Sequence, residues 1–207
     1  MVMLDPEAVW PERTSWEGFR WKLGDDSLGL REFITRPLGL YQRENLALTL
    51  GAVGELLGGW DISPEDIRRG LLYSRLEVRF EVVSRNPYVV LDRARTPKEA
   101  KLLIETLKVL PDTGGRKYLL FIVESGASPP VDVLEELVPR FDTTVVCAEE
   151  LEKGPPLDRL EVELLSGDPT RAWEGISREL EPEDLVLILG PKPALMEVRG
   201  AIGRPPR

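Results

Sequence analysis

Three stretches of the sequence are apolar almost from end to end: YLLFIVES over 118–125, TTVVCAE over 143–149 and DLVLILGP over 184–191. A strand of that composition has to be covered on both faces, which is the situation inside a parallel sheet flanked by helices. The segments between them carry helical signals. Pro97 opens a stripe of Ala100, Leu103, Ile104 and Leu107; residues 131–138 form a second helix; Asp168-Pro169 caps a third that runs through Leu180; residues 194–202 form a fourth. Two further strands, EVRFEVV (77–83) and YVVLD (88–92), flank the turn Asn86-Pro87, and a weaker strand covers 161–166. Strands alternating with helices specify an α/β fold: a Rossmann-like, mostly parallel sheet of about six strands.

The first forty residues read differently. They hold Trp10, Trp16 and Trp21, and WEGFRWKLG and LREFI form two brief strands around Gly24-Asp25-Asp26. A lone hairpin does not support itself, so this N-terminal β-hairpin arm needs a surface to lie on. Leu46, Leu50, Val53 and Leu57 then mark a helix over 43–57 that Gly58-Gly59 ends. Ser63-Pro64-Glu65-Asp66 starts a shorter one ending near Gly70. The expected organisation is an arm over 1–42 and an α/β domain over 43–207.

Composition removes whole classes of chemistry. There is no histidine, which excludes Ser-His-Asp and Cys-His triads and histidine metal sites. The single cysteine, Cys147, excludes an intrachain disulfide and a cysteine zinc cluster, and is expected in the core. A net charge of −9 without a basic face argues against nucleic acid as a partner. No run reaches the roughly 18 apolar residues of a membrane span, and the start MVMLDPEAVW lacks a secretory pattern, so a cytoplasmic location is expected. The chain has one Gln and two Asn, many prolines and 30% charged residues, a thermophile-like balance. With amides so scarce, Gln42 and Asn45, three positions apart, stand out.

In a parallel sheet, ligands gather at the carboxyl ends of the strands. The candidates there are Asp92 with Arg93 and Arg95, Glu124-Ser125-Gly126, Glu149-Glu150 and Gly190-Pro191-Lys192. Arg93, Arg95 and Thr96, with Lys98 nearby, form either an anion or substrate loop or a solvated charged face. No acidic group has metal-ligand spacing.

Three ordered segments carry a resemblance. Gly39-Leu40-Tyr41-Gln42-Arg43-Glu44-Asn45 resembles a G-x-H-Q-x-x-N segment, and Arg79–Asp92 (RFEVVSRNPYVVLD) with Pro97 resembles G-R-(F/L)-x-V-x-x-x-P-x-V-(I/L)-D-G-A-H-N-P. Leu187–Pro191 followed by Glu197-Val198-Arg199 resembles a closing strand, G-S turn and helix. All three patterns are those of the folylpolyglutamate synthases and their Mur ligase relatives, and the resemblance covers residues 30–207.

The resemblance implies a Mur-ligase-like C-terminal domain preceded by the tail of the central ligase domain. The family consists of ATP-dependent amide ligases that activate a carboxylate as an acyl phosphate for attack by an amino acid. By position, Asn45 matches the Asn that contacts adenine, Arg79 the Arg that reaches the γ-phosphate, and Asp92 the Asp that bonds the ribose. Asn45 also reads as a helix cap, Arg79 as part of a solvated strand face and Asp92 as a cap of the turn before Pro97. The family histidines are replaced by Tyr41 and Arg95, the glycine before Arg79 by Val78, the glycine after Asp92 by Arg93, and the closing serine by Pro191. No G-x-x-x-x-G-K-[ST] phosphate loop occurs in the 207 residues. An arginine at the γ-phosphate acts only on a nucleotide held elsewhere. The expectation is a stand-alone binding or interaction module with no catalytic residues, no metal site and weak or vestigial ATP/Mg binding. The alternatives are half of a split glutamate ligase completed by a P-loop partner, or a small nucleotide- or anion-binding domain. The arm would serve a homodimer or that P-loop partner.

Overall fold

The computed structural model describes residues 4–24, 28–57, 59–149 and 157–202. They fall into two compact units, one of residues 1–76 with 105–111 and one of 77–104 with 112–207. The expected boundary after residue 42 lies inside the first unit.

The first unit opens with a three-stranded antiparallel sheet, β1 (Val9–Ser15), β2 (Gly18–Leu23) and β3 (Glu32–Thr35), in that order. The reading of two strands missed β1. Pro11 interrupts its alternation and the register shifts between Pro11 and Arg13, a pattern that only an edge strand tolerates. Trp16 and Trp21 are buried, and each indole nitrogen donates, to Pro111 O at 3.0 Å and to Thr35 Oγ1 at 2.9 Å. Trp10 is exposed. Two of the three tryptophans are therefore core. The Gly24-Asp25-Asp26 turn lies partly outside the described residues, as does Gly58.

Two helices complete the unit, α1 (Gln42–Leu56) and α2 (Pro64–Tyr73). At α2 the Ser63 hydroxyl accepts from Asp66 N–H and the Asp66 carboxylate accepts from Ser63 N–H, a reciprocal capping box with Pro64 at the first helical position. The helix runs one turn past Gly70.

The second unit contains β4 (Glu81–Arg85), β5 (Tyr88–Asp92), α3 (Pro97–Val109), β6 (Lys117–Ile122), α4 (Val131–Leu137), β7 (Thr143–Ala148), β8 (Glu163–Ser166), α5 (Pro169–Ser177), β9 (Leu185–Leu189) and α6 (Lys192–Ala201). The end of α3, from Glu105, counts with the first unit. The sheet order is β4-β5-β9-β6-β7-β8; β4 is antiparallel to β5, and every other pairing is parallel. The six-stranded, mostly parallel reading holds. All five residues of β9 are buried, as its place between β5 and β6 requires. Asp184, expected as the first residue of that strand, instead accepts from Arg116 N–H (2.7 Å) and Glu181 N–H (2.8 Å) and pins the turn in front of it. Cys147 is buried in β7, and burial pushes its thiol pKa up, as a core residue requires.

Strand β4 begins four residues later than the apolar alternation suggested. Val78 and Phe80 have φ of 48° and 45°, so residues 77–80 cannot pair as a strand. Gly190, just past β9, is required by close approach: a Cβ there would lie 2.8 Å from Ile122 Cβ and 3.1 Å from Ile122 O. Gly190→Ala is expected to destabilise the protein by about 1–3 kcal/mol, as overpacking does, measured as a fall in the urea midpoint at unchanged slope.

Candidate functional site

Strand β5 brings Asp92 to the carboxyl end of the sheet, next to the end of β9. Its side chain is 2% exposed and its Oδ2 accepts from Phe80 N–H at 2.7 Å. Asp92 therefore does not cap the turn before Pro97 through that oxygen; it reaches back to the segment preceding β4. There, Val78 N–H donates to Glu81 Oε2 at 2.9 Å, and Arg199 pairs with Glu81 Oε1 at 2.8 Å. Two non-glycine left-handed residues thus flank Arg79. Such a conformation costs an L-residue roughly 1–3 kcal/mol and persists only where its surroundings over-determine it. Val78 stands where the resembling motif has glycine, so the left-handed conformation that suits glycine occurs here on a branched side chain, which is fully buried.

Arg79 is half-buried and lies in this turn, not on a strand face. Its Nη1 is 3.4 Å from Glu99 Oε1. The other Glu99 oxygen accepts from Arg95 N–H (2.8 Å), Thr96 N–H (3.2 Å) and the Thr96 hydroxyl (3.3 Å), while Glu99 N–H donates to Thr96 Oγ1 (3.3 Å). This is a second capping box, at the start of α3. Sequence reading left Glu99 out, although Thr96-Pro97-Lys98-Glu99 carries the T-x-x-E signature that reveals it. Desolvation works to raise the Glu99 pKa, but Arg95 N–H, the charge of Arg79 and Thr96 together lower it.

Arg95 and Thr96 are exposed, and Arg93 is half-buried with its Nε enclosed and unpaired. A cavity of about 170 Å³ sits at the carboxyl ends of β6 and β9, lined by Arg95, Glu124, Ser128 and Gly190 among others. That is smaller than the roughly 300–1,000 Å³ of sites for drug-sized ligands, and its lining sets Arg95 against the acidic Glu124. Ser125 donates to Glu149 nearby, and Lys192 pairs with Glu77 at 2.9 Å. Glu150 lies outside the described residues. Among the described residues, no group of three or more Asp, Glu or Cys could hold a metal ion.

Asn45 belongs to the other unit, in the second turn of α1. Tyr41 occupies the N-cap position, so Asn45 does not cap the helix; its Nδ2 donates to Gln42 Oε1 at 3.1 Å. Gln42 is buried, and its own Nε2 has no partner. Both amides line a cavity of about 750 Å³ between α1 and α2, whose walls include Leu46, Val53, Ile62, Ile67 and Leu71. The two scarce amides therefore share one apolar pocket, while Arg79 and Asp92 are brought together in the second unit.

No family model matches the chain. It is 28% identical over 170 residues to the dihydrofolate synthase/folylpolyglutamate synthase of Escherichia coli, covering 74% of this chain and 36% of that protein. Its homologues are folylpolyglutamate synthases. The solved folylpolyglutamate synthase of Thermotoga maritima superposes with a TM-score of 0.71 at 21% identity, over 95% of this chain and 47% of that one. The Mycobacterium tuberculosis folylpolyglutamate synthase, solved in complexes with ADP and AMPPCP, gives 0.67 at 18% identity, over 96% and 48%. The chain thus spans about a third to a half of these folylpolyglutamate synthases, corresponds to their C-terminal portion and shares its fold.

The lowered Glu99 pKa fixes a pH dependence. A carboxylate depressed in the folded state stabilises above its unfolded value, here about the ordinary 4.5, and that contribution is lost as pH falls through the folded value. Glu99→Gln keeps an oxygen for the cap and removes the charge. Wild type is expected to be more stable than this variant at pH 7, with the two denaturation midpoints converging as pH falls below 4.5.

Proposed function

We infer that this chain is a nucleotide-responsive module of the folylpolyglutamate synthase type, one that binds but does not ligate by itself. The observation that carries this reading is the turn that presents Arg79 beside the α3 N-terminus, at the position where the resemblance expects a γ-phosphate contact. A guanidinium stays charged and meets a phosphate bidentately. In the first unit, taken by itself, the pocket shared by Gln42 and Asn45 has the size and apolar walls for a base, and an amide can both donate to and accept from an adenine edge; it is a candidate separate from the Arg79 turn. The loop of Arg93, Arg95 and Thr96 is a candidate for a carboxylate or phosphate. Magnesium would be supplied with the nucleotide and would offset its phosphate charge.

The case against autonomous ligation is one of magnitude. Activating a carboxylate requires a phosphate cradle as well as an arginine, and losing a single electrostatic donor already costs about 10²–10³ in rate. The sequence contains no P-loop motif. A second reading, half of a two-chain ATP-dependent glutamate ligase completed by a P-loop partner, rests on the Arg79 turn, since an arginine at a γ-phosphate acts on a nucleotide held elsewhere. Co-purification with a P-loop protein, followed by ATP-dependent ligation on mixing, separates the two.

Thermal unfolding with MgATP, MgADP and L-glutamate tests the main reading. Ligand binding raises Tm with the logarithm of ligand over Kd, so even millimolar sites register. MgATP is expected to raise Tm by a few degrees, and Arg79→Ala to abolish the excess of the ATP shift over the ADP shift. Equal Tm values with and without both nucleotides would sink this reading.

A further inference from the structure

The backbone on both sides of Arg79 is held from outside by carboxylates. Val78 N–H goes to Glu81 at 2.9 Å and Phe80 N–H to Asp92 at 2.7 Å, and these two residues are the ones in the left-handed region. Arg79 stands between these two held residues, with its Nη1 3.4 Å from Glu99 Oε1. Glu81 is in turn anchored by Arg199. Asp92 is 2% exposed, and one of its two oxygens is committed to the peptide of Phe80. A carboxylate so placed stabilises a buried N–H with a charge-assisted bond; removing it leaves that N–H without its acceptor inside a conformation that is already strained.

We propose that Asp92 is a positioning residue: through the N–H of Phe80 it holds the left-handed turn that presents Arg79 to an oligophosphate, and it does not itself touch the ligand. This rests on the nucleotide reading and refines it, because the resemblance alone assigns Asp92 to a ribose. The two roles differ in what they demand of the ligand. A ribose contact matters only for a ligand with a ribose. A turn that aims an arginine matters equally for a bare phosphate chain.

The test is calorimetric titration of the full chain with inorganic tripolyphosphate and, separately, with MgATP. The proteins are wild type, Asp92→Asn, Asp92→Ala and the double variant Asp92→Ala/Val78→Gly, each checked for cooperative unfolding. Asp92→Asn retains an acceptor oxygen and should bind both ligands within about twofold of wild type, whereas Asp92→Ala should weaken both by a similar factor of about ten, the scale of a lost charged hydrogen bond. Glycine is at ease in the left-handed region, so the double variant should recover part of the loss for both ligands.

Weakening of MgATP alone would overturn the proposal in favour of a ribose contact, and unchanged binding of both would overturn it outright. If wild type binds tripolyphosphate but not MgATP, the nucleotide reading falls and the Asp92→Ala result still decides the positioning role. Binding of neither removes both. Should Asp92→Ala fail to fold, Glu81→Ala removes the other clamp; the same parallel weakening is expected, and no change would overturn the proposal.

Discussion

Strand β9 is the element on which the second unit depends. Its five residues are buried, and it pairs in parallel with β5 on one side and β6 on the other. Burial of that kind leaves no freedom of register, because a shift by one residue would exchange the side chains of its two packed faces. The fixed register sets where β5, β6 and β9 end. It therefore sets where Asp92, the loop after β6 and Gly190 stand. Arg93, Arg95 and Thr96 after β5 are exposed or half-buried, yet their positions are inherited from the driest part of the sheet.

Around that frame, carboxylates do much of the local work. Asp66, Glu99 and Asp168 each close the start of a helix; Asp184 pins the turn before β9; Glu81 and Asp92 hold the turn before β4. In a chain with no histidine and three side-chain amides, acidic groups are the main strong acceptors besides the backbone. Part of the net negative charge is thus structural, engaged with backbone N–H groups.

The fold was largely legible. Continuous apolar runs gave β6, β7 and β9, and Ser63-Pro64 and Asp168-Pro169 gave their helix starts within a residue. What escaped has a physical cause in each case. β1 is broken by Pro11 and a bulge, so alternation does not mark it. Residues 77–80 alternate like a strand but have left-handed backbone at Val78 and Phe80, and a valine and a phenylalanine give no hint of that. At the candidate site, motif position selected Asn45, Arg79 and Asp92, but it did not reveal that Asp92 accepts from Phe80 or that Glu99 meets Arg79. Those are long-range pairings, 12 and 20 residues apart, which spacing along one element does not encode.

Val78 carries a lesson of a different kind. Its backbone is shaped like glycine's, while its side chain is fully buried. Because the acceptors that hold the turn lie on other residues, position 78 keeps its left-handed backbone while its side chain serves packing. A turn built this way draws its shape from the neighbours that accept its N–H groups, and the residue within it is left to fill space.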